Sequence, residues 1–261
     1  MAMSLHECIV YGPVRSRRLG RSLGINLLPP GMKVCNMKCA YCQYGWTRAG
    51  DRSVQARKWP APGAIERAVA SRLWRAADTN ELIDRVTVAG HGEPTLHPQF
   101  ETVAERIHAA RDRIAPGIPT AILSNSTTAG RAEVKRALAL FDERHMKLDA
   151  GDPFTAALIN GEGASLHDVV DALCDVPGVT VQAMFVRDAS GRIDNTTDRA
   201  VEEWVSALER IRPHRVHVYT LDRRPARPEL RAVPERRLRE ICEHVRAAGL
   251  AADVFHAAAP E

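Results

Sequence analysis

A short strand-like segment followed by a helix-like stretch recurs about six times, and this alternation restricts the fold more than any other feature. The strand-like segments are Gly24–Leu28, Ile83–Gly90, Thr120–Ser124, His145–Asp149, Val179–Val186, Arg215–Thr220 and Ala251–Phe255. Between them, apolar positions recur at helical spacing. One stretch follows Pro62 to about Ala77, with Ile65, Val69, Leu73 and Trp74 read as one face. Others run from about Gln99 to Arg113, about Arg131 to Leu140, Ser165 to near Cys174, Asp198 to Ile211, and Pro234 to Ala248. Ser165-Leu166-His167-Asp168 has the pattern of a capping box, and Gly249 marks a stop. Such alternation demands parallel strands joined by crossover helices. A complete eightfold barrel takes about 250 residues. Here many of the 261 residues go into the opening segment and a loop after the first strand. The expected architecture is therefore α/β, a partial (β/α)6 TIM-like barrel with a parallel sheet. It forms a single domain over 24–261 with residues 1–23 as an N-terminal extension, read as loop or short extended chain because Gly and Pro punctuate it. Residues 50–59, 150–153 and 221–233 read as connections, the last Arg- and Pro-rich and placed to act as a lid.

The loop after the first strand carries Lys33-Val34-Cys35-Asn36-Met37-Lys38-Cys39-Ala40-Tyr41-Cys42. Three cysteines cannot all pair as disulfides, and their spacing, Cys-x3-Cys-x2-Cys, suits thiolate ligation of one compact centre. Structural zinc usually takes two cysteine pairs, and here Cys8, Cys174 and Cys242 are scattered. Three thiolates on a four-iron cluster leave one iron open to another ligand. Zinc and a redox thiol group remain the alternatives. Cys174 reads as an ordinary buried thiol.

Polar residues gather just after the strands, where parallel barrels place their sites. Gly90-His91-Gly92-Glu93-Pro94 offers close backbone approach and a carboxylate, with His91 read as ligand-facing or solvated. Ser124 and Asn125 either contact a ligand or cap the next helix. Lys147 and Asp149 share one strand face and require partners: each other, or a zwitterionic ligand. His217 and Tyr219 point away from the apolar face of their strand, as substrate contacts or as satisfied core residues. Trp46 flanks the site or packs locally. Arg15, Arg17, Arg18 and Arg21 form either a clamp for an anion, with Arg17 as the candidate substrate contact, or a solvated basic loop.

The cysteine spacing, with Tyr41 just before the third cysteine, resembles the signature of the radical S-adenosylmethionine (SAM) superfamily. The Gly92-Glu93-Pro94 loop about fifty residues later resembles that family's Gly-Gly-Glu motif, with His91 as a departure. The stretches from Tyr11 to Gly20, Leu148 to Asp152 and Tyr219 to Arg223 resemble a subgroup described as iron–sulfur oxidoreductases, loosely grouped with tRNA wybutosine-synthesis enzymes. The resemblance implies a [4Fe–4S] cluster on Cys35, Cys39 and Cys42, with SAM on the open iron. It implies Glu93 on the SAM amino group, Tyr41 beside the adenine, and Gly92, Ser124, Asn125, Lys147 and Asp149 as cofactor contacts. The implied chemistry is reductive cleavage of SAM to a 5′-deoxyadenosyl radical that abstracts hydrogen from a substrate, with a flavodoxin or ferredoxin as electron donor.

Composition bounds the rest. Hydrophobic residues make up 45% of the chain, enough for a sizeable core. No apolar run is long enough for a membrane helix and the first residues lack a signal-peptide pattern, so the sequence predicts a cytoplasmic protein with no membrane partner. Net charge is +4, which fits a solvated surface better than a nucleic-acid footprint. A small-molecule substrate is the expectation. Modification of a tRNA base, activation of a glycyl-radical enzyme and a non-catalytic metal-binding regulator are the alternatives.

Overall fold

The computed structural model describes residues 3–48, 58–161 and 163–256. All but residues 58 and 59 of the expected 50–59 connection lie outside them. The chain opens with a hairpin of β1 (Val10–Ser16) and β2 (Gly20–Ile25). There follow α1 (Pro62–Asp78), β3 (Arg85–Val88), α2 (Phe100–Ile114), β4 (Thr120–Ser124), α3 (Ala132–Leu140) and β5 (Glu143–Lys147). The second half contains α4 (Pro153–Asn160), α5 (Leu166–Cys174), β6 (Val179–Asp188), α6 (Asp198–Ile211), β7 (Arg215–Thr220), β8 (Leu230–Ala232), α7 (Glu235–Ala247) and β9 (Ala252–Phe255). One sheet runs in the order β1-β2-β3-β4-β5-β6-β7-β9, with β8 off the path against β6. From β2 onward every neighbour on that path is parallel. The result is the expected curled partial barrel: six strand–helix units and a last strand.

Register sets the two faces of the sheet. Leu23 pairs with Val86, Val88 with Ile122, Ile122 with Arg144 and Val181 with Val216. Leu23, Val86, Val88, Ile122, Val181, Val216 and Val218 join one core cluster with residues of the helices. Each fully buried aliphatic side chain there contributes about 1.5–3 kcal/mol. Helices α1, α2, α3, α5, α6 and α7 therefore cover one face, while α4 places Ile159 in a second cluster with Ala40, Val186, Leu221 and Leu230. The opposite, concave face carries Ser22, Thr87, Glu143, His145, Lys147, Gln182, His217 and Tyr219, a polar series in the same register.

Several local expectations change. Of the two readings of the opening segment, loop or short extended chain, residues 10–16 take the extended one as an edge strand. Gly12 and Pro13 sit at a register shift between Tyr11 and Val14, and an edge strand tolerates proline at such a bulge. The last turn of the 150–153 connection starts α4, where the Asp152 side chain accepts from Thr155 N at 2.8 Å and Pro153 takes the first position. Part of the 221–233 segment is β8, antiparallel to β6. Trp74 is 54% exposed, because the α1 stripe runs Ile65, Val69, Leu73, Ala76 and Trp74 falls about 100° past Leu73. Cys174 is exposed at the end of α5, where its thiol meets the Arg210 carbonyl. Ser165 does cap α5, accepting from Asp168 N.

At the lower end of the concave face, Glu143 receives Arg85 at 2.8 Å and His145 Nε2 at 3.1 Å. Burial alone would raise its pKa, but these donors outweigh it and hold the carboxyl at about 2. A depressed folded pKa stabilises above the unfolded value and is lost as pH falls through the folded one. Stability should therefore drop between about pH 4.3 and pH 2, by about 1–2 kcal/mol after allowance for solvent screening. Glu143→Gln should lack that component in urea titrations across this range.

Candidate active site

The cysteine loop lies at the C-terminal end of the barrel because β2 ends at Ile25 and the chain turns over the strand tops. Two attachments hold it there. Val34 forms a parallel bridge with Gly92, and Glu93 N donates to the Val34 carbonyl at 2.9 Å. A Cβ on Gly92 would stand 1.8 Å from that carbonyl oxygen. The glycine thus admits the cysteine loop itself. On the other side, Lys38 N and Ala40 N donate to the carbonyls of Asn160 and Ile159 at the end of α4. The 221–233 segment closes over the same loop, with Arg227 N on the Ala40 carbonyl and Arg223 on the Gln43 side chain.

Cys35, Cys39 and Cys42 are free and half-buried. Every one of their sulfurs faces a nitrogen donor. Lys147 Nζ is 2.8 Å from Cys39 and Lys33 Nζ 3.3 Å from Cys42; Asn160 Nδ2 is 3.6 Å from Cys39 and Asn125 Nδ2 3.8 Å from Cys35. Two enclosed ammonium groups thus stand next to sulfur, Lys147 at Cys39 and Lys33 at Cys42. Burial and then Cys39 push the Cys35 thiol up to about 12. Three cysteines on one loop, each facing a nitrogen donor, are a donor set that fits thiolate ligation of a metal centre.

Glu93 is buried, 1% exposed. Its Oε1 accepts from Thr95 N, Thr95 Oγ1 and Ser124 Oγ at 3.1, 2.6 and 2.9 Å, and its Oε2 accepts from Asn125 N at 2.6 Å. Burial raises its pKa, opposed by these four donors. The carboxylate is held rigidly, with one Oε2 lone pair left for a ligand. Ser124 therefore orients Glu93 through its side chain and Asn125 through its backbone. The Asn125 side chain also donates to Asn36 Oδ1 at 2.8 Å within the cysteine loop.

Asp149 lies just past β5, which begins and ends two residues earlier than expected. Its Oδ2 accepts from Tyr41 OH at 2.5 Å and Asn160 Nδ2 at 2.8 Å, and its Oδ1 from Met184 N at 2.9 Å. Lys147 stands 3.7 Å away, 5.3 Å above the Tyr41 ring. Burial works against the Lys147 charge, but Cys39 and then Asp149 more than offset it, and its pKa rises. For Tyr41, burial and then Asp149 raise the phenol. A cavity of about 440 Å³ opens beside Lys147, Asp149, Asn160, Gly161 and Met37, a size that admits a nucleoside-like ligand.

The structure thus gathers Cys35, Cys39, Cys42, Tyr41, Gly92, Glu93, Ser124, Asn125, Lys147 and Asp149 at one end of the barrel. His217 sits one layer lower, 5% exposed, its ring 5.3 Å from that of His145. Tyr219 is half-buried and carries the Arg18 guanidinium 4.2 Å over its ring. Arg17 turns outward, donating to the His256 carbonyl and standing 3.4 Å from Asp222. His91 is neither solvated nor ligand-facing: it is 0% exposed, accepts from His6 N at Nδ1, and meets the Pro29 carbonyl at Nε2. Trp46 is 41% exposed, with Lys38 over its ring. Sequence reasoning missed Lys33, Asn36, Thr95 and Asn160. Lys33 and Asn36 lie beside Cys35 and carry a signal; Asn160 ends α4, where no element is expected beyond Pro153.

No helix among the described residues is long and apolar enough to cross a membrane. The sequence is 38% identical over 144 residues to a UPF0026 protein of Methanocaldococcus jannaschii, covering 55% of this chain and 41% of the relative. The chain therefore spans less than half the length of that relative. In fold it is similar to a radical SAM methyltransferase from Sphaerobacter thermophilus, with TM-score 0.64 and 16% identity over 90% of this chain and 66% of that one. It is likewise similar to TYW1 with a lysine–pyruvate adduct bound, with TM-score 0.58 and 15% identity over 87% and 73% of the two chains. The sequence profile of the radical SAM superfamily matches residues 30–228, from the cysteine loop to the closing segment over it. With three free cysteines on the loop after the first parallel strand and Glu93 fixed beside them, this chain belongs to the radical SAM superfamily.

Proposed function

We propose that this protein is a radical SAM enzyme acting on a small molecule, with a [4Fe–4S] cluster held by Cys35, Cys39 and Cys42. The observation that carries the reading is the nitrogen donor facing each of the three loop sulfurs. When bound, the cluster and SAM supply one-electron cleavage to methionine and a 5′-deoxyadenosyl radical that removes hydrogen from the substrate. The protein's part is to position and to exclude water. Glu93, fixed by four donors, offers its remaining lone pair to the ligand ammonium. Lys147 offers its cation to a carboxylate, and Tyr41 is tethered to Asp149, which lines the cavity. The 221–233 segment shields the loop, and a flavodoxin or ferredoxin supplies the electron.

The test is anaerobic reconstitution with iron and sulfide, reduction, and EPR with and without SAM. A reduced-cluster signal that changes on SAM addition, with 5′-deoxyadenosine formed, is the expected result. A zinc-bound protein, or a cluster signal indifferent to SAM, would overturn the reading.

A further inference from the structure

The middle of the concave face holds one cation that the cofactor chemistry does not use. Arg18 enters it from the β1–β2 turn, where Ser16 Oγ accepts from Arg18 N and Leu19 N. Its guanidinium donates to Gln182 Oε1 and stacks on the Tyr219 ring. Gln182 is itself held by donation to the His145 carbonyl at 3.1 Å. The other arginines near this face have carboxylates: Arg85 has Glu143 at 2.8 Å, Arg215 has Asp253 at 2.6 Å, and Arg17 has Asp222 at 3.4 Å. Among the described residues no carboxylate stands within ion-pair distance of Arg18. A half-buried guanidinium satisfied by one amide and a ring is electrostatically incomplete.

A second observation points to a ligand at the same place. His217, the register partner of Gln182, has a buried Nδ1 with no hydrogen-bond partner, and so has His145 beside it. Buried polar atoms ordinarily find partners. Burial, then His145 and Arg18, drive the His217 pKa down to about 3, so its ring is neutral and its Nδ1 can carry a donor hydrogen. Arg18, on Gln182, and His217, the register partner of Gln182, share one polar barrel floor, and a guanidinium with a neutral imidazole donor is an oxyanion's complement. The place also adjoins the cofactor residues. Tyr219 pairs with Met184, whose N–H is bound by Asp149, the residue that tethers Tyr41.

We propose that Arg18, with Gln182 and His217, binds a carboxylate or phosphate group of the substrate on the floor of the barrel. The inference rests on the reading of the protein as a radical SAM enzyme, since it places the substrate below the cysteine loop. Arg18, not Arg17, is then the arginine of the opening segment that meets it.

Calorimetric titration of the reconstituted protein with inorganic phosphate and with succinate tests it, in wild type, Arg18→Gln and Gln182→Glu. The second variant supplies an internal carboxylate that neutralises Arg18 even if the first fails to fold. Expected is binding of at least one probe, weakened at least about tenfold in both variants. Preference for phosphate or for succinate tells which oxyanion the substrate bears. No binding of either probe to wild type, or equal binding by all three proteins, overturns the proposal. SAM cleavage in the same wild-type preparation separates the two readings. Cleavage without Arg18-dependent anion binding sinks the oxyanion site alone, and Arg18-dependent binding without cleavage sinks the enzyme reading alone.

Discussion

Cys39→Ala is expected to bring reconstituted iron to background and to abolish 5′-deoxyadenosine formation. Cys39 is the most heavily engaged of the three sulfurs, with Lys147 at 2.8 Å and Asn160 at 3.6 Å. On the proposed reading, removing it deletes one of three cluster ligands and takes the sulfur from beside an enclosed ammonium. Changes in the surroundings of a metal ligand typically cost about 10–100-fold in affinity or activity, so loss of the ligand itself should exceed that range. Iron analysis and product assay check it, with the other cysteines as controls. Cys242 is fully buried in α7, so Cys242→Ala should cost stability with iron retained. Cys174 is exposed, and Cys174→Ala should change neither. Full iron in Cys39→Ala would remove this residue from the ligand set.

Gly92→Ala should be nearly as damaging by a different route. The added methyl would lie 1.8 Å from the Val34 oxygen, 2.6 Å from the Val34 carbonyl carbon and 2.8 Å from Leu28 Cδ1. Backbone cannot yield that far while the Val34–Gly92 bridge and the Glu93 N to Val34 O bond persist. The cysteine loop must lift from the Glu93 loop, at a cost of about 3 kcal/mol or more, the upper range for overpacking. Urea unfolding measures the loss. EPR measures its consequence, because a displaced Glu93 should leave a cluster signal that no longer answers to SAM. Wild-type stability in Gly92→Ala would contradict the close approach.

Much of the fold was legible because its elements are strongly periodic. Thr120–Ser124 and Arg215–Thr220 come out at the expected bounds, and the helices begin and end within a few residues. The failures have local causes. Gly12 and Pro13, at the bulge of the edge strand, leave loop and short extended chain equally open for the opening segment. Asp152-Pro153 reads equally as a turn or as a helix start until Thr155 N is seen on the Asp152 side chain. β8 is three residues long, and only its pairing with β6 defines it.

The cysteine spacing, the Glu93 loop and the polar ends of the strands follow from residue order, because ligand spacing and two-residue alternation are properties of the chain itself. By itself the sequence determined the barrel class, the loop that carries the cysteines and the superfamily. Tertiary structure alone decided which groups surround each sulfur. Lys33, Lys147, Asn125 and Asn160 come from four separate places in the chain, and no periodicity relates them. It also decided that His91 is enclosed by His6 and Pro29, and that Arg18 faces the barrel while Arg17 faces away. Adjacent residues in a turn diverge by side-chain direction, and that direction is set by what packs against the turn from strands two hundred residues later.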